Sequence, residues 1–281
     1  MERCFICGGA AFATVCRYDA PDPYERRVGV PAEGYARAWL RCDACGFHLS
    51  RYSRSPEVLD ALYDEAYREA GAGWRGGAST EDIFRRVVAL PEGQSETKAR
   101  IDWIRAQMED LARSGLWQAP PPPGRLLDIG GATGVFAWEF QESAPAWRAH
   151  VVDRAASGQC LAESLGIPYR RQPYAAGCFG QRFHLVSLIF VLEHLRDPDA
   201  ILREVRADLE PGGLVYIEVP DAVAFRLKPL DDDIFNACHL WMFDPTSLTR
   251  LVARNGFDTL RLQRTRTIRG HYALCLLGGV P

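Results

Sequence analysis

The stretch Arg125-Leu126-Leu127-Asp128-Ile129-Gly130-Gly131-Ala132-Thr133-Gly134-Val135-Phe136 decides the fold. A short apolar run ends in an acid, small residues follow, and an apolar segment resumes. This is the pattern of a buried parallel strand turning tightly into a helix. Such a turn brings backbone close to a ligand, where a Cβ would collide and φ often has to be positive, so glycine is favoured. A dinucleotide site asks for G-x-G-x-x-G with the pyrophosphate on the helix N-terminus. Here Ala132 and Val135 stand where the second and third glycines belong, which disfavours a dinucleotide.

Outward from this stretch, strands and helices alternate. Helices are expected from Val135 to Glu142, Ser157 to Leu165 and Asp199 to Asp208, with strands between them. That alternation implies a parallel sheet covered on both faces. Asp244-Pro245 starts a further helix that Gly256 ends, and Thr259 to Thr267 with Tyr272 to Leu277 reads as a terminal hairpin. On the other side, the prolines of Ala119 to Gly124 stiffen the chain into a spacer and mark a boundary. Before it come two expected helices, Thr80 to Leu90 and Ser95 to Ser114, the second with Ile101, Ile104, Met108 and Leu111 as its apolar stripe. Ser55-Pro56 is a third helix start, followed by Leu59, Leu62, Tyr63 and Tyr67 mostly on one face, and Ala70 to Gly77 reads as a glycine-rich loop near a pocket mouth.

The chain has 281 residues, 47% hydrophobic and 25% charged, enough for one large domain and something small. A formal net charge of -3 argues against nucleic-acid or membrane-surface partners, which usually need a strong basic excess. No segment joins a basic region to an apolar core, and no apolar run approaches the roughly 18 residues of a membrane span, so a cytoplasmic location is expected. In a reducing cytosol, nine cysteines point to metal or free thiols. Cys4-x-x-Cys7-Gly8 and Cys42-x-x-Cys45-Gly46 are matching turns, each able to present two thiolates to one ion. Four sulfurs make a closed tetrahedral site, so the reading is a structural zinc ribbon, with four buried or unpaired cysteines as the alternative. Pro21, Pro23 and Pro31 suggest a loop between hairpins inside it, and Cys16 and His48 are spare donors.

An acid at Asp128, then Gly130, a small Ala132 and Gly134 resembles the first motif of the class I S-adenosylmethionine-dependent methyltransferases. Four further stretches match that family in order: Val151-Val152-Asp153; Phe183 to Phe190 running into Val191-Leu192-Glu193-His194-Leu195; Leu209-Glu210-Pro211-Gly212-Gly213 into Leu214 to Val219; and His239-Leu240-Trp241-Met242-Phe243-Asp244-Pro245 with Leu248 to Phe257. The resemblance covers Gly124 to Gly278. It implies a Rossmann-like, doubly wound α/β sheet of seven strands with an antiparallel last strand. It also implies cofactor contacts at Asp128, Gly130, Gly134, Asp153 and Phe190, with Asp153 accepting from the ribose hydroxyls. Ribbons like the N-terminal one occur in a subgroup acting on nucleotide sugars and other secondary metabolites, whose tyrosine-rich segment Tyr63-Asp64-Glu65-Ala66-Tyr67 resembles. The expected organisation is a zinc ribbon at 1–54, a helical lid and substrate segment at 55–118, and the cofactor domain at 119–281.

In an open α/β sheet, ligands sit at the carboxyl ends of the strands, which puts Phe190 to His194 beside the cofactor. Methyl transfer is an in-line displacement, so the nucleophile must be aligned and, if a hydroxyl or carbon acid, deprotonated. His194 titrates near neutrality and is the candidate base; Glu193 would orient it or stabilise its charge. The pair equally suits a purely structural strand end. Some family members bind a divalent ion through Glu-x-x-Glu-His and a later histidine; Phe190 replaces the first glutamate, leaving Glu193, His194 and His239. Otherwise His239, Tyr63 and Tyr67 would face substrate. The leading reading is methyl transfer to a small-molecule acceptor, favouring oxygen over carbon. A non-catalytic zinc-ribbon adaptor is the alternative, and oligomeric state is open.

Overall fold

The first cysteine turn leads into strand β1 (Phe12–Tyr18), helix α1 (Pro23–Arg27) and strands β2 (Arg37–Cys42) and β3 (His48–Tyr52). The computed structural model describes residues 3–52, 58, 62, 79–156 and 158–280. The helix expected from Ser55-Pro56, with Tyr63 and Tyr67, and the stretch from Ala70 to Gly77 lie outside the described residues. Within the connection between β1 and β2, where Pro21, Pro23 and Pro31 lie, Pro23 opens α1. Proline tolerates the first helical position because its missing N–H has no partner there, and Asp22 with Glu25 closes a capping box.

Helices α2 (Thr80–Val88) and α3 (Glu96–Arg113) follow, capped by Ser79 and Ser95. In α3, Ile101, Ile104, Met108 and Leu111 are all buried, and they pack with Leu126, Phe140, Val151 and Tyr216 in one apolar cluster. The alternating half consists of β4 (Gly124–Ile129), α4 (Val135–Ser143), β5 (Trp147–Asp153), α5 (Gln159–Ser164), β6 (Tyr169–Arg171), β7 (Phe183–Ile189), α6 (Pro198–Asp208) and β8 (Leu209–Pro220). It closes with α7 (Ala224–Leu227), β9 (Trp241–Met242), α8 (Pro245–Arg254), β10 (Asp258–Arg266) and β11 (Tyr272–Gly279). Asp197 and Asp244 cap α6 and α8, each just ahead of a proline.

The large sheet has the order β10-β11-β8-β7-β4-β5-β6. Strands β4 to β8 pair in parallel, and β11 alone runs against its neighbours β8 and β10. This is the Rossmann-like α/β sheet with an antiparallel last strand. The order reverses beside β4, so a crevice opens past the carboxyl ends of β4 and β7.

The second sheet has the order β1-β2-β3-β9, all antiparallel. Its fourth strand comes from Trp241–Met242, about two hundred residues later in the chain than β3. Residues 1–54 therefore do not complete their own sheet. One buried cluster runs without a break from Cys4, Phe47 and Leu49 through Phe243 and Leu248 to Val186, Leu188 and Ile217.

A buried ion pair pins α3 to β8. The guanidinium of Arg100 makes a bidentate contact with Glu218, and Tyr216 Oη donates to the same carboxylate at 2.6 Å. Both charged side chains are nearly excluded from water, 9% and 3% exposed, so removing one partner strands the other. Arg100→Met is expected to cost about 3–5 kcal/mol. The double variant with Glu218→Gln, which keeps the Tyr216 bond, should recover part of that loss; urea unfolding of the four proteins checks it.

Candidate cofactor, catalytic and metal sites

The turn after β4 is built by steric exclusion. Gly130 has φ 76°, and a Cβ there would lie 2.8 Å from Val191 Cγ2; at Gly131 it would lie 2.4 Å from Asp128 Oδ2. Asp128 thus sits beneath the turn, fully buried, accepting from Ser187 Oγ at 2.7 Å, and burial pushes its pKa up to about 7. It is not among the residues lining the crevice and supports the turn from below. Ala132, at the position the resemblance assigns to glycine, takes φ 47°, a left-handed conformation that is uncommon for a residue with a side chain. Gly134, with φ 75°, caps α4 and is also set back from the crevice.

Past the strand ends lies a cavity of about 290 Å³. It is lined by Ile129 and Gly130 after β4, Val152, Asp153 and Arg154 at β5, Gln172, Pro173 and Tyr174 after β6, and Val191, His194, Leu195 and Arg196 after β7. Ile201, Ala237, Cys238 and Leu240 close it. Asp153 is held by two backbone donors, Ala132 N to Oδ2 at 2.9 Å and Ala155 N to Oδ1 at 2.7 Å. Each oxygen has a second lone pair, so the fixed carboxylate can accept from a diol. Phe190 does not line the cavity. Its φ of 52° is a strained, left-handed backbone held by its N–H to Glu218 O at 2.8 Å.

His194 lines the cavity from the turn Leu192–His194. Its Nδ1 lies 2.9 Å from Cys238 O, and a carbonyl only accepts, so Nδ1 carries a proton. Glu193 lies beside it in the same turn. It is wholly buried, and neither carboxyl oxygen has a hydrogen bond among the described residues. Burial raises its pKa well above the ordinary carboxylate range, with the charge of Glu218 adding to it, and its Oε1 lies 3.9 Å from His194 Nε2. His239 lies behind His194, ring centroids 4.8 Å apart, and does not line the cavity as a substrate contact would. Its Nδ1 donates to Ile234 O at 2.7 Å. One donor atom from each of Glu193, His194 and His239 falls within 4.8 Å of the others, a set with the chemistry to hold a divalent ion.

The four sulfurs of Cys4, Cys7, Cys42 and Cys45 also meet within 4.8 Å, with Cys4 to Cys45 and Cys7 to Cys42 at 3.6 Å. A tetrahedral ion with Zn–S bonds of about 2.3 Å would hold its sulfurs roughly 3.8 Å apart, so the spacing fits zinc. Gly8 and Gly46 turn each knuckle at φ 75° and 77°, where a side chain would be strained. Gly9 N–H points at Cys7 Sγ and lowers that thiol to about 7. Cys16 and His48 stay outside the cluster, beside Tyr18 and Phe225.

Residues 100–262, more than half of the chain, match a family described as a methyltransferase domain. The chain belongs to this methyltransferase family. A ubiquinone biosynthesis O-methyltransferase of Parvibaculum lavamentivorans is 32% identical over 100 residues, 33% of this chain. The match spans 39% of that relative's length. Among solved structures, the 1,6-didemethyltoxoflavin-N1-methyltransferase of Burkholderia thailandensis, with its namesake ligand and S-adenosylhomocysteine bound, aligns with a TM-score of 0.56 at 17% identity, over 87% of this chain and 95% of its own. Magnesium protoporphyrin IX methyltransferase from Synechocystis, with S-adenosylmethionine bound, aligns at 0.52 and 12% identity, over 82% and 100%. Both share the fold.

In this methyltransferase domain the cavity includes residues that sequence reasoning passed over. Gln172 and Tyr174 follow β6, so strand order alone could have flagged them. Cys238 and Leu240 carry no such signal, because their place depends on β9 joining the other sheet.

Burial holds His239 neutral, with its pKa lowered from 6.5 to about 4. As pH falls below 6.5 the unfolded chain takes up this proton before the folded one does. Stability contributed above pH 6.5 is therefore lost on the way to pH 4, on the order of 3 kcal/mol. His239→Asn keeps a donor for Ile234 O and should flatten the acid limb of stability against pH, read by urea unfolding between pH 4 and 7.

Proposed function

We propose that the chain transfers the methyl group of S-adenosylmethionine to a hydroxyl of a small-molecule acceptor, in the class of secondary metabolites, sugars or nucleotide sugars. The observation that carries this reading is the crevice beside β4. It joins a glycine turn, an acid fixed to receive a diol, and the turn that carries the buried His194. The curated relative is an O-methyltransferase, which favours oxygen over carbon or nitrogen.

In this reading Asp153 accepts from both ribose hydroxyls and Gly130 lets backbone approach the cofactor, while Asp128 and Gly134 hold the turn that presents them. Phe190 acts through its strained backbone, which directs Val191 to His194 into the cavity. S-adenosylmethionine would supply an electrophilic methyl group there, the cavity would align the acceptor hydroxyl with it, and His194 would take up the hydroxyl proton. Tyr63 and Tyr67, which lie outside the described residues, would face the acceptor. Cys4, Cys7, Cys42 and Cys45 hold a structural zinc in an N-terminal ribbon over 1–54, next to the cofactor domain of 119–281. The protein works in the cytoplasm, and no helix among the described residues is long and apolar enough to cross a membrane.

The trio Glu193, His194 and His239 favours a second reading, in which these side chains hold a divalent ion that polarises the acceptor hydroxyl. The readings part on His239. As a base, His194 alone is essential, and His239→Asn keeps most turnover; with an ion, both substitutions abolish it.

Calorimetric titration with S-adenosylmethionine and S-adenosylhomocysteine tests the core of the proposal. Asp153→Ala should weaken both by at least about tenfold, the scale of one lost charge-assisted bond. His194→Ala should keep that affinity while transfer of labelled methyl to hydroxylated acceptors falls by about 10²–10⁴-fold. Absence of binding by the parent protein would leave the adaptor as the better reading.

A further inference from the structure

The catalytic turn is held from one side by a single short segment. Cys238 O receives His194 Nδ1–H at 2.9 Å, Leu240 N donates to Glu193 O at 2.8 Å, and Trp241 Nε1 donates to Leu195 O at 2.6 Å. Three consecutive residues of the turn, Glu193, His194 and Leu195, are thus tied to Cys238, Leu240 and Trp241. None of these ties touches the glycine turn or Asp153.

That segment is in turn registered by the cysteine knuckles. Trp241 pairs with Leu49 in the smaller sheet, and Ser50 N donates to Leu240 O at 2.9 Å. The indole stacks on Phe5, which lies between Cys4 and Cys7, at 5.2 Å and 24°. It also stacks on Phe47, the residue after the second knuckle's Gly46, at 5.8 Å and 25°. Arg254 locks the first knuckle from outside: its guanidinium lies 4.4 Å over the Phe5 ring, donates to Phe5 O at 2.8 Å, and forks onto Asp199 in the first turn of α6. An aromatic ring from each knuckle therefore meets the one side chain that also reaches the cavity wall.

We propose that Trp241 is a positioning residue that couples the four-cysteine centre to the catalytic turn, stacking on both knuckles while its indole N–H holds Leu195 and so fixes the turn that carries His194. This rests on the proposed roles of His194 and the cysteine centre. The physical reason is rigidity. A turn flanked by a strained Phe190 and containing a buried Glu193 whose carboxyl has no hydrogen bond among the described residues has little of its own to fix it, whereas a cross-linked pair of knuckles is a stiff anchor.

The test uses the full-length chain and three readouts: the imidazole Nδ1–H of His194 by nitrogen-15 NMR, S-adenosylhomocysteine affinity by calorimetry, and cobalt(II) absorption for the cysteine centre. Trp241→Phe keeps a ring for the stack and removes only the donor. Solvent exchange of the His194 Nδ1–H should become about tenfold faster, the factor for one ordinary hydrogen bond, while cofactor affinity stays within about twofold and the cobalt spectrum is unchanged. Phe5→Leu, which keeps bulk and loses the stack, should produce the same change in smaller degree. Stripping the cysteine centre with a chelator should reproduce it in the parent protein and add nothing in Trp241→Phe. Unaltered exchange in Trp241→Phe would overturn the proposal, as would a loss of cofactor affinity parallel to the exchange change, since that marks general loosening. Failure of the underlying readings shows separately, as a parent protein that binds no S-adenosylhomocysteine or no cobalt, while the exchange readout still tests the coupling.

Discussion

The carboxyl of Asp128 lies directly beneath the turn that follows β4, and the geometry of the cavity depends on that contact. With an acid packed against it, position 131 has no room for a Cβ, and Val191 closes the space at 130. The backbone therefore bends through left-handed conformations at Gly130, Ala132 and Gly134. The bend carries Ala132 N to the Asp153 carboxylate, so the acid of β5 is oriented by the turn of β4. Burial keeps Asp128 close to neutrality, with Ser187 from β7 donating to it. One side chain thereby links three adjacent strands of the sheet at the point where their order reverses.

The opposite wall has a different origin. Residues 235 to 243 run between the two sheets and are fastened to the N-terminal half by buried polar groups. Arg37 donates to Phe235 O at 2.7 Å and to Tyr35 Oη at 3.1 Å, and Asp22 Oδ2 accepts from Ala237 N at 2.6 Å. A buried guanidinium is tolerated only when its donors are used in this way. The catalytic turn takes its hold from the same segment, so the N-terminal sheet belongs to the architecture of the site as much as the large sheet does. This is why the apolar core passes from Cys4 and Phe47 into β7 and β8 without a gap.

Much of this was legible in the chain. The α3 stripe of Ile101, Ile104, Met108 and Leu111 follows from helical periodicity. The helix start at Asp244-Pro245 follows from a side chain that satisfies backbone donors locally, and the paired cysteine turns from glycine after each knuckle. The strand order around β4 follows from alternation and from motif resemblance over Gly124 to Gly278. What the chain does not display is desolvation: burial raises the carboxyls of Asp128 and Glu193 and lowers His239.

The sequence by itself determined the elements, their caps, the parallel sheet and the two cysteine knuckles, because each arises from interactions among residues close in the chain. Tertiary structure alone decided that β9 completes the N-terminal sheet, that Trp241 meets Phe5, Phe47 and Leu195, and that the titratable groups of the site are buried to different depths. Those outcomes depend on contacts across about two hundred residues and on desolvation. Neither leaves a periodic or local mark for a sequence to display.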